Sequence, residues 1–276
     1  MSPHSEQWVT LVTHHGKGEV MAPLFRAAGW RFEILDRDTD ALGTFSGDVE
    51  RRGSPLEVAV AKARLAAGES RSPWWMASEG SLSSGPWGLA HDHELVVLVH
   101  GATGVVVAGE ARSHDVVLVG VEVLETTSDE QMLGQLAGAD LGRHHLMVVS
   151  LTHDVPARGA LRTLEEVVEA RRAMSAPGRR LRIQTDCRAH LSPSRGRVIE
   201  AATRDLLSRM NSSCPRCAGP GWALSSVVEG RRCAVCARPT SDPRAEVWTC
   251  PWCGERREVL LEESGVDPAR CPWCNP

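Results

Sequence analysis

Apolar and polar positions in the first two hundred residues follow short runs that predict strands and helices in alternation. Residues 8–13 form an apolar run typical of a buried strand, and residues 19–28 show helical spacing that ends at Gly29. Residues 30–36 predict a second strand. A strand, a helix and a strand in this order form a βαβ unit, so the chain opens like an α/β fold.

Three further helices are predicted by capping sequences in which Ser or Thr precedes Glu by three residues, at Ser54, Thr127 and Thr163. Strands are predicted over residues 74–78, 94–100, 104–112, 115–124, 146–151 and 182–186, with a last helix over 196–210. The strand at 74–78 is expected to end in a turn, Glu79-Gly80-Ser81. We predict an α/β domain with a mixed sheet over residues 1–210, with the boundary at residues 211–213.

The rest of the chain, residues 211–276, is defined by its cysteines. Eight of the nine cysteines form four Cys-x-x-Cys pairs, namely Cys214/Cys217, Cys233/Cys236, Cys250/Cys253 and Cys271/Cys274. Two residues between thiolates form a tight knuckle that directs both sulfurs to one tetrahedral metal, and a longer gap holds a hairpin that returns the second knuckle. We therefore predict two structural zinc sites of four cysteines each, in a double zinc-ribbon region.

The pairing of the knuckles has two solutions. Fifteen residues separate the first two pairs and seventeen the last two, which favours sequential pairing, while an interleaved pairing stays open. A disulfide framework would need an oxidising compartment, but residues 1–7 are polar and resemble no secretory signal, so a cytoplasmic protein is expected. Cys187 stands apart from the pairs and is predicted to be a buried apolar residue.

Composition and charge narrow the classes of function. No run of eighteen apolar residues is present, so no membrane span is expected. Residues 1–150 carry 20 acidic and 11 basic side chains, whereas residues 151–210 carry 7 and 12. This contrast favours a site that handles metal ions and anions together, although two differently solvated surfaces explain it equally well. Residues 211–276 carry 8 of each, which weakens the case for nucleic-acid binding by the cysteine region alone.

Candidate chemistry lies in the loops that follow predicted strands, where α/β sheets bind ligands. Lys17 lies in a glycine-containing loop before a helix and is suited to a phosphate group. Asp38 and Asp40 belong to a glycine-rich acidic loop that could hold Mg²⁺ or Mn²⁺, and Glu79 is a candidate general base or metal ligand. Ordinary solvated loops and turn chemistry are the alternatives for each of these positions.

A further polar segment follows the last predicted strand. In an extended chain Asp186, Arg188 and His190 point to one face, where an acid, a guanidinium and an imidazole form a good anion or metal site. Arg195 follows, just before the N-terminus of the last predicted helix, another position suited to an anion. A structural salt bridge is the alternative explanation.

Several of these segments resemble a bacterial family known as DUF6671, a domain of unknown function. The resemblance is carried by Thr13–Lys17, by DTDALGTFSGDVER at 38–51, by ASEGS at 77–81, by DCRAHLSPSR at 186–195 and by the cysteine pairs. A more distant likeness, to the inosine-triphosphate pyrophosphatase superfamily, implies a nucleotide cleft in which Lys17 meets phosphate. In that likeness, Glu79 with Asp38 or Asp40 would hold the metal.

We therefore expect a metal-dependent hydrolase that acts on a phosphorylated, nucleotide-like small molecule. Lys17, Arg188 and Arg195 would bind the anion. The alternative is a non-catalytic module whose zinc ribbons and basic segment dock on RNA or on a protein. A third hypothesis is a catalytic transition metal held by His14, His15 and His190. The sequence leaves the oligomeric state open, a homo-oligomer included.

Overall fold

The computed structural model describes residues 7–14, 16–42, 53–84, 90–152, 154–261 and 264–276, and these residues form three β-sheets. The chain divides into two units, residues 1–206 and 207–276. The first unit contains two sheets and the second contains one. The boundary predicted from the sequence, after residue 210, lies four residues beyond this division, at the end of helix α5 (Pro193–Met210).

The first sheet has the spatial order β2-β1-β3-β4-β5. Its strands are β1 (Trp8–Thr13), β2 (Arg31–Asp36), β3 (Trp74–Ser84), β4 (Ala90–His100) and β5 (Val106–Ser113). Strand β1 pairs in parallel with both β2 and β3, whereas β4 pairs antiparallel with both β3 and β5. The sheet is therefore mixed, and the predicted α/β class is confirmed.

One face of this sheet is covered by α2 (Pro55–Arg64), which begins at the capping box of Ser54 and Glu57 that the sequence predicts. Its small residues Ala59 and Ala63 pack against Ala77 of β3, together with apolar residues of β4. Because side chains alternate along a strand, Ser78 and Gly80 point to the opposite face.

That opposite face carries α1 (Lys17–Ala27) and α5. Lys17 reaches Ser78 there, and Gly109 of β5 lies on the same face because it pairs with Val96, the partner of Ser78. A Cβ atom on Gly109 would lie 2.3 Å from the backbone nitrogen of Leu206 in α5. Glycine is therefore needed for α5 to lie directly on the strand.

Strands β3 and β4 are longer than the sequence predicts. They pair over eleven residues each, from Trp74↔His100 to Ser84↔Ala90. Glu79-Gly80-Ser81 lies inside β3 and is not a turn, so this prediction was wrong, and residues 91–93 belong to a strand as well. The physical reason is that cross-strand backbone hydrogen bonds extend the pairing through a stretch whose side chains are too polar to predict a strand.

The second sheet is antiparallel, with the order β6-β9-β7-β8. It contains β6 (Gly120–Val123), β7 (Leu146–Ser150), β8 (Arg158–Leu161) and β9 (Leu181–Thr185), with helices α3 (Asp129–Gln135) and α4 (Leu164–Met174). Met132, Val167 and Ile183 belong to one buried core. Thr163 caps α4 as predicted, whereas α3 is capped by Ser128, one residue after the predicted Thr127, because Ser128 and Gln131 complete the reciprocal bonds.

The second unit has a small antiparallel sheet, β10-β11-β12, formed by Ala223–Glu229, Pro243–Thr249 and Arg256–Leu260. Among its described residues, the buried apolar side chains other than cysteines are Ala245, Val247 and Val266. So small a core cannot by itself stabilise a chain of this length. The unit therefore depends on its cysteines.

The contact of α5 with β5 gives a test of the packing. Gly109→Ala should lower the free energy of unfolding by about 1–3 kcal/mol, because the added methyl group meets helix backbone that cannot rotate away. Gly120→Ala is the matched control, since a Cβ atom there meets nothing within 4 Å. Urea denaturation measures both variants, and equal stabilities would contradict the packing described.

Candidate functional site

The first sheet has a topological switch point between β1 and β3. From β1 the chain passes through α1 to β2 on one side, and from β2 it passes through α2 to β3 on the other side of β1. The strand order therefore reverses at β1, and α/β sheets bind ligands at the carboxyl edge of the sheet at such a point. Lys17, the first residue of α1, lies directly after β1 at this edge.

The N-terminus of α1 is formed by Gly16, whose φ of 69° is in the left-handed region that glycine adopts without strain. Among the described residues no side chain caps this helix end, so its first amide groups have no protein acceptor of that kind there. A Cβ atom on Gly16 would lie 2.8 Å from Nδ1 of His190. The predicted segment from Asp186 to Arg195 is thus brought against the start of α1.

Five residues at this edge form what we call the buried charge cluster: Lys17, Ser78, Asp92, Glu94 and Arg195. The Lys17 Nζ donates to Ser78 Oγ at 2.7 Å and to Glu94 Oε1 at 2.8 Å. Arg195 donates from one terminal nitrogen to Glu94 Oε2 at 2.6 Å and from the other to Asp92 Oδ1. Helices α1 and α5 are therefore joined to β4 through carboxylates.

The absence of a side chain at Gly80 makes room for this arrangement. A Cβ atom there would lie 2.2 Å from a terminal nitrogen of Arg195 and 2.5 Å from Glu94 Oε2. Asp92 and Glu94 are completely buried, and Arg195 is 4% exposed. The sequence pointed to Asp92 only as part of a polar group with His91 and His93 that a surface turn explained equally well, and Glu94 was not selected. The signal that could have found them is the alternation of Asp92 and Glu94 with histidines at the start of an apolar run.

The two carboxyl groups differ in their electrostatics. Burial alone would raise the pKa of Glu94, but the charges of Lys17 and Arg195 outweigh burial and lower this pKa to about 2. Burial dominates at Asp92 and raises its pKa to about 6, although Arg195 opposes the shift. Asp92 Oδ2 and Arg195 Nε have no hydrogen-bond partner among the described residues. The same carboxylates raise the pKa of Arg195 against the effect of burial.

Arg188 is held by Asp186, the residue that follows β9. Asp186 accepts from Arg188 at 2.9 Å and 2.5 Å, and from the backbone nitrogen of Ala160 at 2.9 Å. Burial works to raise the pKa of Asp186, but these hydrogen bonds outweigh it and lower the pKa. Cys187 is buried, as predicted, and burial raises the pKa of its thiol to about 12, which disfavours the thiolate form that acts as a nucleophile.

Neither Glu79 nor Asp38, two of the predicted acidic residues, belongs to this cluster. Glu79 points to the α2 face, where its Oε2 accepts from Lys62 Nζ at 2.7 Å, and both side chains are buried. Asp38 is exposed, and Asp40 begins a short 3-10 turn, Asp40–Leu42. His14 bonds to Asp36 at 2.9 Å, while His15 lies outside the described residues. A catalytic role for Glu79, Asp38 or Asp40 stays a prediction.

The second unit brings its eight cysteines into two groups, each with its sulfurs within 4.8 Å of one another. Cys214 and Cys217 meet Cys250 and Cys253, whereas the other group contains Cys233, Cys236, Cys271 and Cys274. The knuckles are interleaved, so the sequential pairing that the spacing favoured was wrong. The cysteine spacing does not decide between the two pairings, because each of them leaves room for a strand that returns the second knuckle. The sheet order β10-β11-β12 selects the interleaved pairing.

The sulfur positions fit a tetrahedral metal. Facing sulfurs lie 3.8 Å and 3.6 Å apart in the first group and 3.8 Å and 3.7 Å apart in the second. Four sulfurs bonded to zinc at about 2.3 Å would lie about 3.8 Å from one another, while a disulfide would need about 2 Å. Both groups therefore match two structural zinc sites and leave no open coordination position for catalysis.

Backbone amides support the knuckles. The nitrogens of Arg216, Val235 and Trp252 each donate to the first sulfur of their knuckle at 3.4 Å, which favours the thiolate form that binds metal. Ala218 follows the first knuckle with a φ of 57°, in the left-handed region. Gly219 is needed for space, because a Cβ atom there would lie 2.8 Å from Trp252.

Comparison with known proteins gives the family. The family model for a domain of unknown function, DUF6671, matches residues 66–276, so the chain belongs to the DUF6671 family. The resembling segments at 13–17 and 38–51 precede this range and are not tested by it. No curated protein matches the chain. Within the described residues, no helix is both long and apolar enough to cross a membrane.

The interleaved pairing is tested by removing whole knuckles. Replacing Cys214, Cys217, Cys250 and Cys253 by Ser should leave one bound zinc per chain, because the other group stays complete. Replacing Cys214, Cys217, Cys233 and Cys236 should leave none held tightly, because each site then retains two thiolates. Native mass spectrometry counts the metal. One zinc retained in the second variant would establish sequential pairing instead.

Proposed function

We propose that the chain is a metal-dependent hydrolase whose phosphorylated, nucleotide-like substrate binds beyond the carboxyl end of β1. The observation that carries this proposal is the buried charge cluster at the switch point, where Glu94 holds the ammonium of Lys17 and the guanidinium of Arg195 beside one helix N-terminus. Cations held in place and the backbone amides of a helix N-terminus together suit the oxygens of a phosphate group. The thiolates of the second unit are best preserved in a reducing cytoplasm.

Lys17 has capacity for a ligand. An ammonium group has three donors, and two of them go to Ser78 and Glu94. The side chain of Lys17 is 18% exposed, so the third donor can reach a bound anion, whereas the more buried Arg195 acts by its charge. Arg188, held by Asp186 and 35% exposed in its side chain, offers a second contact for the same ligand.

A divalent cation would complete this site. Among the described residues, only the cysteine groups bring three or more metal-binding side chains together. Mg²⁺ often takes one or two carboxylates and completes its coordination with substrate phosphates and water. Asp38 and Asp40 would supply those carboxylates. Bound there, the ion would neutralise phosphate charge while water attacks phosphorus, the bond to the leaving oxygen breaks and that oxygen takes up a proton.

The hydrolase is tested with zinc-loaded protein and a panel of nucleoside triphosphates, pyrophosphate and phosphomonoesters, with and without added Mg²⁺ or Mn²⁺. Lys17→Ala should lower kcat/KM by about a hundredfold, as expected for a lost electrostatic contact to the reacting group. Arg26→Ala, an exposed cation on the same helix, is the matched control. Glu79→Gln in the same panel tests the separate role predicted for Glu79.

Two outcomes oppose this function. Background turnover of every substrate by the wild-type protein would remove it. Equal kcat/KM for the wild type and Lys17→Ala would remove the site, even where turnover is found.

The alternative, a non-catalytic module that docks on RNA, is favoured by the surface of the second unit. Trp273 is 60% exposed, and the guanidinium of Arg238 lies 4.8 Å from the centre of its ring. An exposed aromatic ring beside arginine is a stacking platform for unpaired bases. Val235, three residues before Arg238 in the sequence, is 72% exposed. An exposed apolar side chain of this kind suits a protein partner equally well.

Retention on single-stranded RNA at about 50 mM salt should be lost at higher salt and weakened by Trp273→Ala, because stacking and phosphate contacts both contribute. Leu260→Ala, which removes an apolar side chain that is 71% exposed, serves as the control. Filter binding measures the retention. A protein that does not bind RNA even at low salt excludes this version of the alternative.

A further inference from the structure

The buried charge cluster contains equal numbers of carboxylates and cations. Lys17 and Arg195 face Asp92 and Glu94, and with all four groups ionised their formal charges sum to zero. A neutral cluster attracts an anion weakly, because the carboxylates cancel the field of the cations at short range. An anion is bound well only if one negative charge is removed.

The hydrogen bonds show which carboxyl group can lose its charge. Both oxygens of Glu94 accept from a cation, so a proton there would break one of two ion pairs. Asp92 uses Oδ1 for Arg195, while Oδ2 has no partner among the described residues. A proton on Asp92 Oδ2 leaves every hydrogen bond of the cluster in place. Burial also raises the pKa of Asp92 to about 6, near neutral pH.

Four other titratable groups act on Asp92. They come from its own strand, from α1, from α5 and from the segment after β9, and they are Glu94, Lys17, Arg195 and Cys187. The pKa of Glu94 is about 2 and that of the Cys187 thiol about 12. Asp92 and Glu94 raise the pKa of Arg195, so the guanidinium keeps its charge. Asp92 is therefore the carboxyl group of this set that can respond between pH 5 and 8.

We propose that an anion binds at the buried charge cluster together with one proton, and that Asp92 accepts this proton. The inference rests on the proposed function, since it takes the cluster as the anion site. Asp92 is then a positioning residue that holds Arg195, and its protonation state sets the net charge that the cluster presents to the anion. Affinity for an anion should then rise about tenfold per pH unit as pH falls from 8 towards 6, and level off below 6.

The test uses full-length, zinc-loaded protein and sulfate, which stays a dianion throughout the range from pH 5 to 8. Calorimetric titration at pH 7, in two buffers that differ in ionisation enthalpy, should show close to one proton taken up per sulfate bound. Asp92→Asn should bind sulfate without proton uptake and with an affinity independent of pH. Asp115→Asn, an acid with 83% exposure paired with Arg197, should behave like the wild type.

The outcomes separate the two proposals. Sulfate binding without proton uptake, and with a flat pH profile, overturns the role of Asp92 and leaves the anion site standing. Failure of both sulfate and pyrophosphate to bind anywhere between pH 5 and 8 overturns the anion site itself. If Asp92→Asn does not fold, proton uptake by the wild type in the two buffers still decides the question.

Discussion

A single buried carboxylate, Glu94, joins three elements that are distant in the chain. Its oxygens accept from Lys17 at the start of α1 and from Arg195 at the start of α5, while β4 fixes its position in the sheet. Removing one partner of such a buried pair leaves an uncompensated charge, which typically destabilises a fold by about 3–5 kcal/mol. Glu94 therefore determines where both helix starts lie, and with them the geometry of the carboxyl edge.

The second unit depends on a different constraint. Its three strands bury few apolar side chains, so the entropy lost on folding must be offset by metal–thiolate bonds. Along the chain, the two knuckles of each site are separated by a knuckle that belongs to the other site. Neither metal can then bind fully until most of the unit is folded, so the two sites are coupled through the backbone.

Local sequence rules predicted the elements well and the contacts between them poorly. The capping boxes at Ser54 and Thr163, the opening βαβ unit and the Cys-x-x-Cys knuckles each depend on residues within a few positions of one another, and the structure contains all of them. The extension of β3 through Glu79 depends on β4, ten or more residues away, so a turn was predicted there. The pairing of the knuckles likewise depends on sheet order, which spacing does not contain.

The candidate site shows the same limit in chemical terms. Lys17 and Arg195 were selected because cations near helix starts suit anions, and the structure does bring them together. What the sequence could not show is that Asp92 and Glu94 lie between them, because one residue of strand register decides whether a side chain is buried or exposed. With these two carboxylates counted, the cluster is a balanced set of charges and not the basic patch that Lys17 and Arg195 alone would form. Its capacity for an anion is determined less by the number of cations than by the protonation of one carboxyl group, and so by burial as much as by charge.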